Sequence, residues 1–127
     1  MESRQYNTTV LAYMGDAVYE VRIRRMLIGR GRTGTDKLHR EAVRYVSAEG
    51  QAKAVRSMIQ GFLTDEEVKL VKRARNHRVT SHPRNVDPKE YKLATGFEAL
   101  VGFLYLEDQP ERLEEILSEA VRVIEEA

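Results

Sequence analysis

Two acidic residues stand out because each interrupts an apolar stretch that has the spacing of a helix. Asp16 lies within LAYMGDAVYE, and Glu98 is the only charged residue in LATGFEALVGFLYL. Each has a glycine close by, Gly15 beside Asp16 and Gly96 two positions before Glu98. A glycine inside a helix costs about 1 kcal/mol relative to alanine. We therefore expect another helix or a ligand to approach the backbone closely at both places.

The chemistry available to these two carboxylates depends on the groups that they contact in the folded protein. An ionised carboxylate in apolar surroundings must be paired, hydrogen-bonded or bound to a metal. One interpretation is a buried hydrogen bond or an ion pair with an arginine, because structural networks also use buried acids. The other is that two helices pack together and that Asp16 and Glu98 share a divalent cation. Hard oxygen ligands in a chain without cysteine favour Mg²⁺ or Mn²⁺ over Zn²⁺.

Basic residues are clustered, although the net charge is only +1. Residues 21–35 contain five arginines and no acid, and residues 68–86 contain six basic residues and no acid, whereas the stretch from residue 107 onward contains eight acids. Clustered basic charge is the usual footprint of phosphate binding, and a solvated surface is the alternative. Together with a shared cation, the clusters suggest metal-assisted hydrolysis of a nucleic-acid backbone.

The elements that must position these residues are predicted to be helices throughout. The β-branched residues show no sustained alternation, and prolines and turn signals are few. In the first helix, we predict a core face that includes Val10, Val18 and Val21 with Leu11, Met14 and Leu27. The predicted helix starts are Asn7-Thr8, Thr35 or Asp36, Ser47, a capping box at Thr64 to Glu67, Asp87-Pro88 and Pro110. We predict a single all-α domain of about six helices over residues 1–127.

Composition limits the compartment that we expect for this protein. The chain has no cysteine for a disulfide framework, and its polar first residues lack the apolar core of a signal peptide. The longest mainly apolar run is too short to cross a bilayer. We expect a cytoplasmic protein without a membrane partner.

Two blocks of sequence carry a family resemblance. LAYMGDAVYE resembles the ribonuclease III signature Glu-x-x-Glu-Phe-Leu-Gly-Asp-Ser/Ala, and GFEALVGFLYL resembles that family's second motif, Asp-x-x-Glu-Ala-hydrophobic-Gly-x-hydrophobic-Tyr-Leu. Between them, LHREAVRYVSAEGQAKA and KLVKRARN are similar to the stand-alone bacterial subfamily, Mini-ribonuclease III. The blocks occur in the same order and cover nearly the whole chain, so we expect no double-stranded-RNA-binding domain beside them.

The resemblance implies a ribonuclease III-like catalytic domain that acts as a homodimer and cuts double-stranded RNA with Mg²⁺, for which Mn²⁺ can substitute. It implies 5′-phosphate and 3′-hydroxyl ends, maturation of the large-subunit (23S) ribosomal RNA precursor, and no nucleotide cofactor. Asp16 and Glu98 match the family's catalytic and metal-binding acids. Our hypothesis is in-line attack by a metal-activated water, with both carboxylates holding the ion.

Three positions depart from the family pattern. Thr9 and Ala12 stand where the signature has glutamates, and Thr95 stands where the second motif has an aspartate. We therefore expect the remaining metal ligands to be water and phosphate, and the number of metals stays open. A catalytically inactive RNA-binding or ribosome-associated protein of the same fold is the first alternative. A helical DNA-binding or protein-interaction module is the second.

The second basic cluster contains our candidates for binding RNA. Duplex RNA is recognised mainly through its shape, 2′-hydroxyls and phosphates, so a dense set of donors on a helix end and the loop that follows is favourable. Arginines of the first cluster, Arg22, Arg25, Arg30 and Arg32, are weaker candidates. The main candidates are Lys72, Arg73, Arg75, Asn76, His77, Arg78, Arg84 and Asn85.

Overall fold

The computed structural model describes residues 6–77 and 83–126, and every regular element within these residues is an α-helix. This confirms the predicted all-α class and the number of helices. The helices are α1 (Thr8–Gly29), α2 (Thr35–Val46), α3 (Ala48–Met58), α4 (Asp65–Arg75), α5 (Pro88–Leu106) and α6 (Pro110–Glu126).

Most helix boundaries follow from side chains that satisfy the unpaired N–H groups of a first turn. Asn7 accepts from the Val10 amide at 2.9 Å and begins α1, while Ser47 accepts from the Gly50 amide at 3.1 Å and begins α3. The predicted capping box at α4 and the Asp87-Pro88 start of α5 are also present. Helix α2 lacks such a cap: its cap position is Gly34, one residue before the predicted cap, with no side-chain hydrogen bond.

Helix α5 lies at the centre of the fold. It packs along α1, α3 and α4, and the α1–α5 contact is the most extensive between any two helices. Residues from all six helices form one apolar core, whose fully buried side chains include Tyr19 of α1, Met58 of α3, and Phe97 and Leu100 of α5. Within the described ranges, no helix combines the length and hydropathy required to cross a membrane.

One part of the predicted core is wrong, and it concerns α1. Leu11 and Leu27 are buried, but Val10 is 42% exposed and Val21 is 57% exposed. Periodicity identifies an apolar face, but it does not say whether a neighbouring helix of the same chain covers that face. Here α1 is apolar on two sides, and only one of them packs against α5.

Candidate active site

Two glycines bring α1 and α5 into backbone contact. A Cβ atom on Gly15 would lie 1.7 Å from the Glu98 carbonyl oxygen, and one on Gly102 would lie 1.9 Å from the Leu11 carbonyl oxygen. Real side chains essentially never approach so closely, so only glycine fits at either position. The close approach predicted beside Asp16 is therefore confirmed, and its partner on α5 is Gly102.

Gly96, the glycine singled out beside Glu98, serves a different contact. A Cβ atom there would lie 2.8 Å from the Val71 carbonyl oxygen of α4. Because two positions along a helix are about 200° apart around its axis, Gly96 and Glu98 face opposite sides of α5. The prediction of close approach is confirmed at Gly96, but this glycine allows α4, not α1, to pack closely against α5. Glu98 lies on the opposite side of α5, toward α1.

The α1–α5 contact brings the two predicted carboxylates together. Asp16 is exposed and Glu98 is partly buried, and their carboxyl groups are close enough for one, when protonated, to donate a hydrogen bond to the other. Burial and the Asp16 carboxyl, with a weaker effect of Glu20, raise the pKa of Glu98 to about 8. Two carboxylates that repel each other at the edge of an apolar core form a site suited to a cation.

A third side chain that the sequence analysis missed also reaches Glu98. Gln51 of α3 donates from Nε2 to Glu98 Oε2 at 3.3 Å and to the Val46 carbonyl oxygen at 3.0 Å. One sequence signal could have identified Gln51: it is a polar residue on the helix face that Ala54, Val55 and Met58 make apolar at helical spacing.

The residues at the other family acid positions do not join the carboxylate pair. Thr9 donates its hydroxyl to the Asn7 side chain at 2.6 Å, and Thr95 donates to the Tyr91 carbonyl oxygen at 3.0 Å, so both hydroxyls bond locally. Ala12 is buried. Within residues 6–77 and 83–126, no group of three or more histidine, cysteine or acidic side chains is placed to hold a metal.

The donor set nevertheless fits a hard divalent cation. Two carboxylates offer oxygen ligands of the kind that Mg²⁺ uses, and Mg²⁺ commonly takes one or two protein carboxylates and completes its shell with water and phosphate. A cation between them would also offset the repulsion that raises the pKa of Glu98. The same pair would be a poor site for Zn²⁺, which prefers three or four nitrogen and sulfur ligands.

The second basic cluster lies at the end of α4 and beyond it. Lys72 and Arg73 are exposed, and neither has an acidic partner among the described residues. Arg75 is partly buried and donates to the Asn76 side chain at 3.2 Å. The exposed members beyond α4 are Asn76, His77, Arg84 and Asn85, whereas Arg78 lies outside the described residues.

The first basic cluster is largely neutralised within the chain. Arg22 pairs with Glu114 at 2.9 Å and Arg30 pairs with Glu125 at 2.7 Å, so two of these arginines tie α1 to α6. Acidic residues of α6 therefore form ion pairs with part of the first basic cluster and help to hold α6 against α1. Two further pairs, Arg24 with Glu20 and Arg32 with Glu41, use arginines of the same cluster. The cluster is consequently a weaker candidate for phosphate binding than residues 68–86.

Comparison with known proteins gives the same relationship by sequence and by structure. Residues 9–109 match the ribonuclease III domain family. The chain is 48% identical to Mini-ribonuclease 3 of Symbiobacterium thermophilum, with 91% of this chain and 88% of that protein covered. It is 44% identical to Mini-ribonuclease 3 of Enterococcus faecalis, with 97% and 94% covered.

A crystal structure of a Fusobacterium nucleatum protein superposes with a TM-score of 0.84 at 30% identity, covering 94% of each chain. The matched residues include Asp16 and Glu98 and the helices whose contact joins them. The chain belongs to the ribonuclease III domain family and, within it, to the Mini-ribonuclease 3 group.

Proposed function

We propose that this ribonuclease III family endoribonuclease hydrolyses phosphodiester bonds of double-stranded RNA at the Asp16–Glu98 pair, with Mg²⁺ as the cofactor and Mn²⁺ as a substitute. The observation that carries the proposal is the backbone contact at Gly15 and Gly102, which holds the two carboxyl groups within hydrogen-bonding range of each other. A helix contact built so tightly fixes where both acids stand before any ligand arrives.

Asp16 and Glu98 would hold the metal, and each has a distinct part in doing so. A bound Mg²⁺ supplies the positive charge that polarises a phosphoryl group and lowers the pKa of water. Exposed Asp16 gives the pair its access to solvent and substrate, while partly buried Glu98 gives it a fixed position in α5. Because its pKa is about 8, Glu98 must lose a proton before it can act as an anionic ligand near neutral pH.

We propose that the end of α4 and the residues after it bind the RNA backbone, with Lys72 and Arg73 as the exposed cations without an acidic partner in the described chain. Lys72→Ala with Arg73→Ala should weaken duplex RNA binding and lower the slope of log affinity against log salt by about one per lost phosphate contact. Lys37→Ala with Arg40→Ala, which removes equal charge from exposed positions on α2, is the matched control. Equal effects of the two pairs would contradict a local binding surface.

We propose that the protein acts as a homodimer through the exposed side of α1. Val10, Tyr13, Val21 and Ile28 recur at helical spacing and are 42%, 80%, 57% and 60% exposed. An exposed apolar stripe of this kind marks a protein interface. Asp16 flanks the stripe on the same helix, so a two-fold contact there would place both carboxylate pairs beside one interface.

The natural substrate that we propose rests on the subfamily resemblance. We propose that the protein matures the 23S ribosomal RNA precursor in the cytoplasm and leaves 5′-phosphate and 3′-hydroxyl ends. Support comes from the Mini-ribonuclease 3 relatives, which are 37% to 48% identical over nearly the whole chain. Mapping of 23S precursor ends after incubation with the purified protein tests both the substrate and the chemistry of the ends.

One experiment tests the proposed activity. Duplex RNA and duplex DNA of the same sequence are incubated with the protein in Mg²⁺ or in chelator, and Asp16→Asn is run alongside with its helical content checked by circular dichroism. We expect cleavage only of the RNA, only with metal and only by the wild type. RNA binding without cleavage would instead identify an inactive RNA-binding member, an alternative favoured by the locally bonded Thr9 and Thr95.

A further inference from the structure

Gln51 is one of two buried polar side chains in the described parts of the chain, and it is 2% exposed. It lies in the first turn of α3, where Gly50 permits an unusually close junction with α2. A Cβ atom on Gly50 would lie 2.4 Å from the Arg44 carbonyl oxygen. The α2–α3 junction thus places the Gln51 amide between the end of α2 and the Glu98 side chain of α5.

The direction of the Gln51 amide follows from its partners. The Val46 carbonyl oxygen can only accept a hydrogen bond, so the nitrogen of the amide must face it, at 3.0 Å. The same nitrogen then presents its second hydrogen to Glu98 Oε2 at 3.3 Å. Apart from the Asp16 carboxyl, Gln51 is the only side chain among the described residues that is hydrogen-bonded to the Glu98 carboxyl group. The amide is therefore the one uncharged donor that can orient this carboxylate.

The hydrogen bond to the Val46 carbonyl oxygen gives Gln51 a structural use, but the amide also carries a cost. Its Oε1 atom is buried and has no hydrogen-bond partner. A buried acceptor without a partner destabilises a fold, whereas an apolar side chain of similar size would avoid that cost. Gln51 lies on the side of α3 that carries the buried residues Ala54, Val55 and Met58, so leucine or methionine would match the apolar character of that side. The second hydrogen bond of the amide, to Glu98, points to a further use of the residue.

We propose that Gln51 is a positioning residue that holds the Glu98 carboxylate facing Asp16, so that the pair is preformed to bind a divalent cation. This inference rests on the proposed function of the pair. An amide suits the task because it donates a hydrogen bond and carries no charge. Arginine or lysine would compete with the cation, and a carboxylate would add repulsion without a donor. Partners of this kind fix the orientation of metal-binding side chains and support metal affinity.

The test uses Gln51→Leu and Gln51→Met, with Gln60→Leu at an exposed position just after α3 as the matched control. Mn²⁺ binding to the RNA-free protein is measured from the electron paramagnetic resonance signal of free Mn²⁺. Unfolding in urea is measured in chelator, and single-turnover cleavage of duplex RNA is measured over a range of Mg²⁺ concentrations. Two variants are used so that a folding defect in one does not decide the result.

We expect both Gln51 variants to stay fully folded at 25 °C in the urea titration, with at most a small loss of stability from the missing Val46 hydrogen bond, and to bind Mn²⁺ about tenfold more weakly. Cleavage at low Mg²⁺ should fall about 10- to 100-fold and recover at high Mg²⁺, while the KM for RNA, measured separately at steady state in high Mg²⁺, stays within about twofold. The control should match the wild type in every measurement. Recovery of the cleavage rate at high Mg²⁺ would indicate that Glu98 is present but wrongly oriented. Asp16→Asn, which lacks a metal-binding carboxylate, should not recover its rate at high Mg²⁺.

Two results would overturn the inference. Wild-type Mn²⁺ affinity in both Gln51 variants would show that the amide does not position Glu98. A loss of unfolding free energy in both variants that accounts for their loss of metal binding would show a purely structural role. Undiminished cleavage by Asp16→Asn would instead refute the proposed function of the pair, so the two failures are distinguishable.

Discussion

The substitution Gly15→Ala tests whether the α1–α5 contact builds the carboxylate pair. The new Cβ atom would lie 1.7 Å from the Glu98 carbonyl oxygen, and ordinary contact begins at 3.4 Å, so the helices must separate by about 1.7 Å. Alanine favours a helix by about 1 kcal/mol over glycine, but overpacking typically costs about 1–3 kcal/mol. Since the obstacle is backbone rather than a flexible side chain, we expect the upper end of that range and a net loss of about 2 kcal/mol.

The same displacement should slow cleavage, because Asp16 moves with Gly15 while Glu98 stays with α5. A misplacement of about 1 Å at a reacting centre can lower a rate about 100-fold, and we expect a loss of that order in kcat. Urea unfolding and single-turnover cleavage measure the two effects. Gly29→Ala is the control, since nothing lies within 4 Å of a Cβ atom there and α1 ends at that residue. Wild-type stability and rate in Gly15→Ala would refute the reasoning.

Three further predictions concern charge, capping and assembly. In chelator, the contribution of Glu98 to stability should be fully present below about pH 4.5 and be lost by up to about 1.4 kcal/mol per pH unit between about pH 5 and 8, because folded Glu98, with a pKa of about 8, keeps a proton that the unfolded chain releases. Glu98→Gln should remove this contribution, and parallel urea titrations of the two proteins would contradict the raised pKa. Thr64→Ala should lower the unfolding free energy by about 1 kcal/mol in thermal denaturation, whereas Thr35→Ala, at a helix start without a side-chain cap bond, should have little effect. Val21→Asp should shift the mass measured by light scattering from dimer to monomer, and Tyr105→Asp, with 52% exposure on α5, should not; a monomeric wild type would contradict the proposed interface.

The parts of the fold that were predictable from sequence are those determined locally. Ser47, Thr64 and Asp87 begin helices because each side chain satisfies amides within its own first turn. Gly15, beside Asp16, predicted a close backbone approach because glycine destabilises a helix interior and a close contact that only glycine permits can offset that loss. These inferences use only neighbours in the chain, so tertiary packing could not overturn them.

Other features depended on contacts between distant segments. Val10 and Val21 looked like core residues because an apolar face in sequence is the same whether a helix of the chain or a partner covers it. The pairing of Arg22 and Arg30 with α6 appears only once α1 and α6 lie side by side. Gln51 was missed because its role depends on where α3 meets α5. For the candidate site, the interrupted apolar pattern and the motif resemblance both identified the two carboxylates, whereas the amide hydrogen-bonded to Glu98 was visible only in the packed structure.

The central claim is that Asp16 and Glu98 act as one centre, and a double-mutant cycle tests it most directly. Single-turnover cleavage of one duplex RNA in saturating Mg²⁺ is measured for wild type, Asp16→Asn, Glu98→Gln and the double variant. If both acids serve the same centre, each single substitution should abolish most of the rate and the double variant should lose little more. Losses that multiply, or a wild-type rate in either single variant, would contradict the claim.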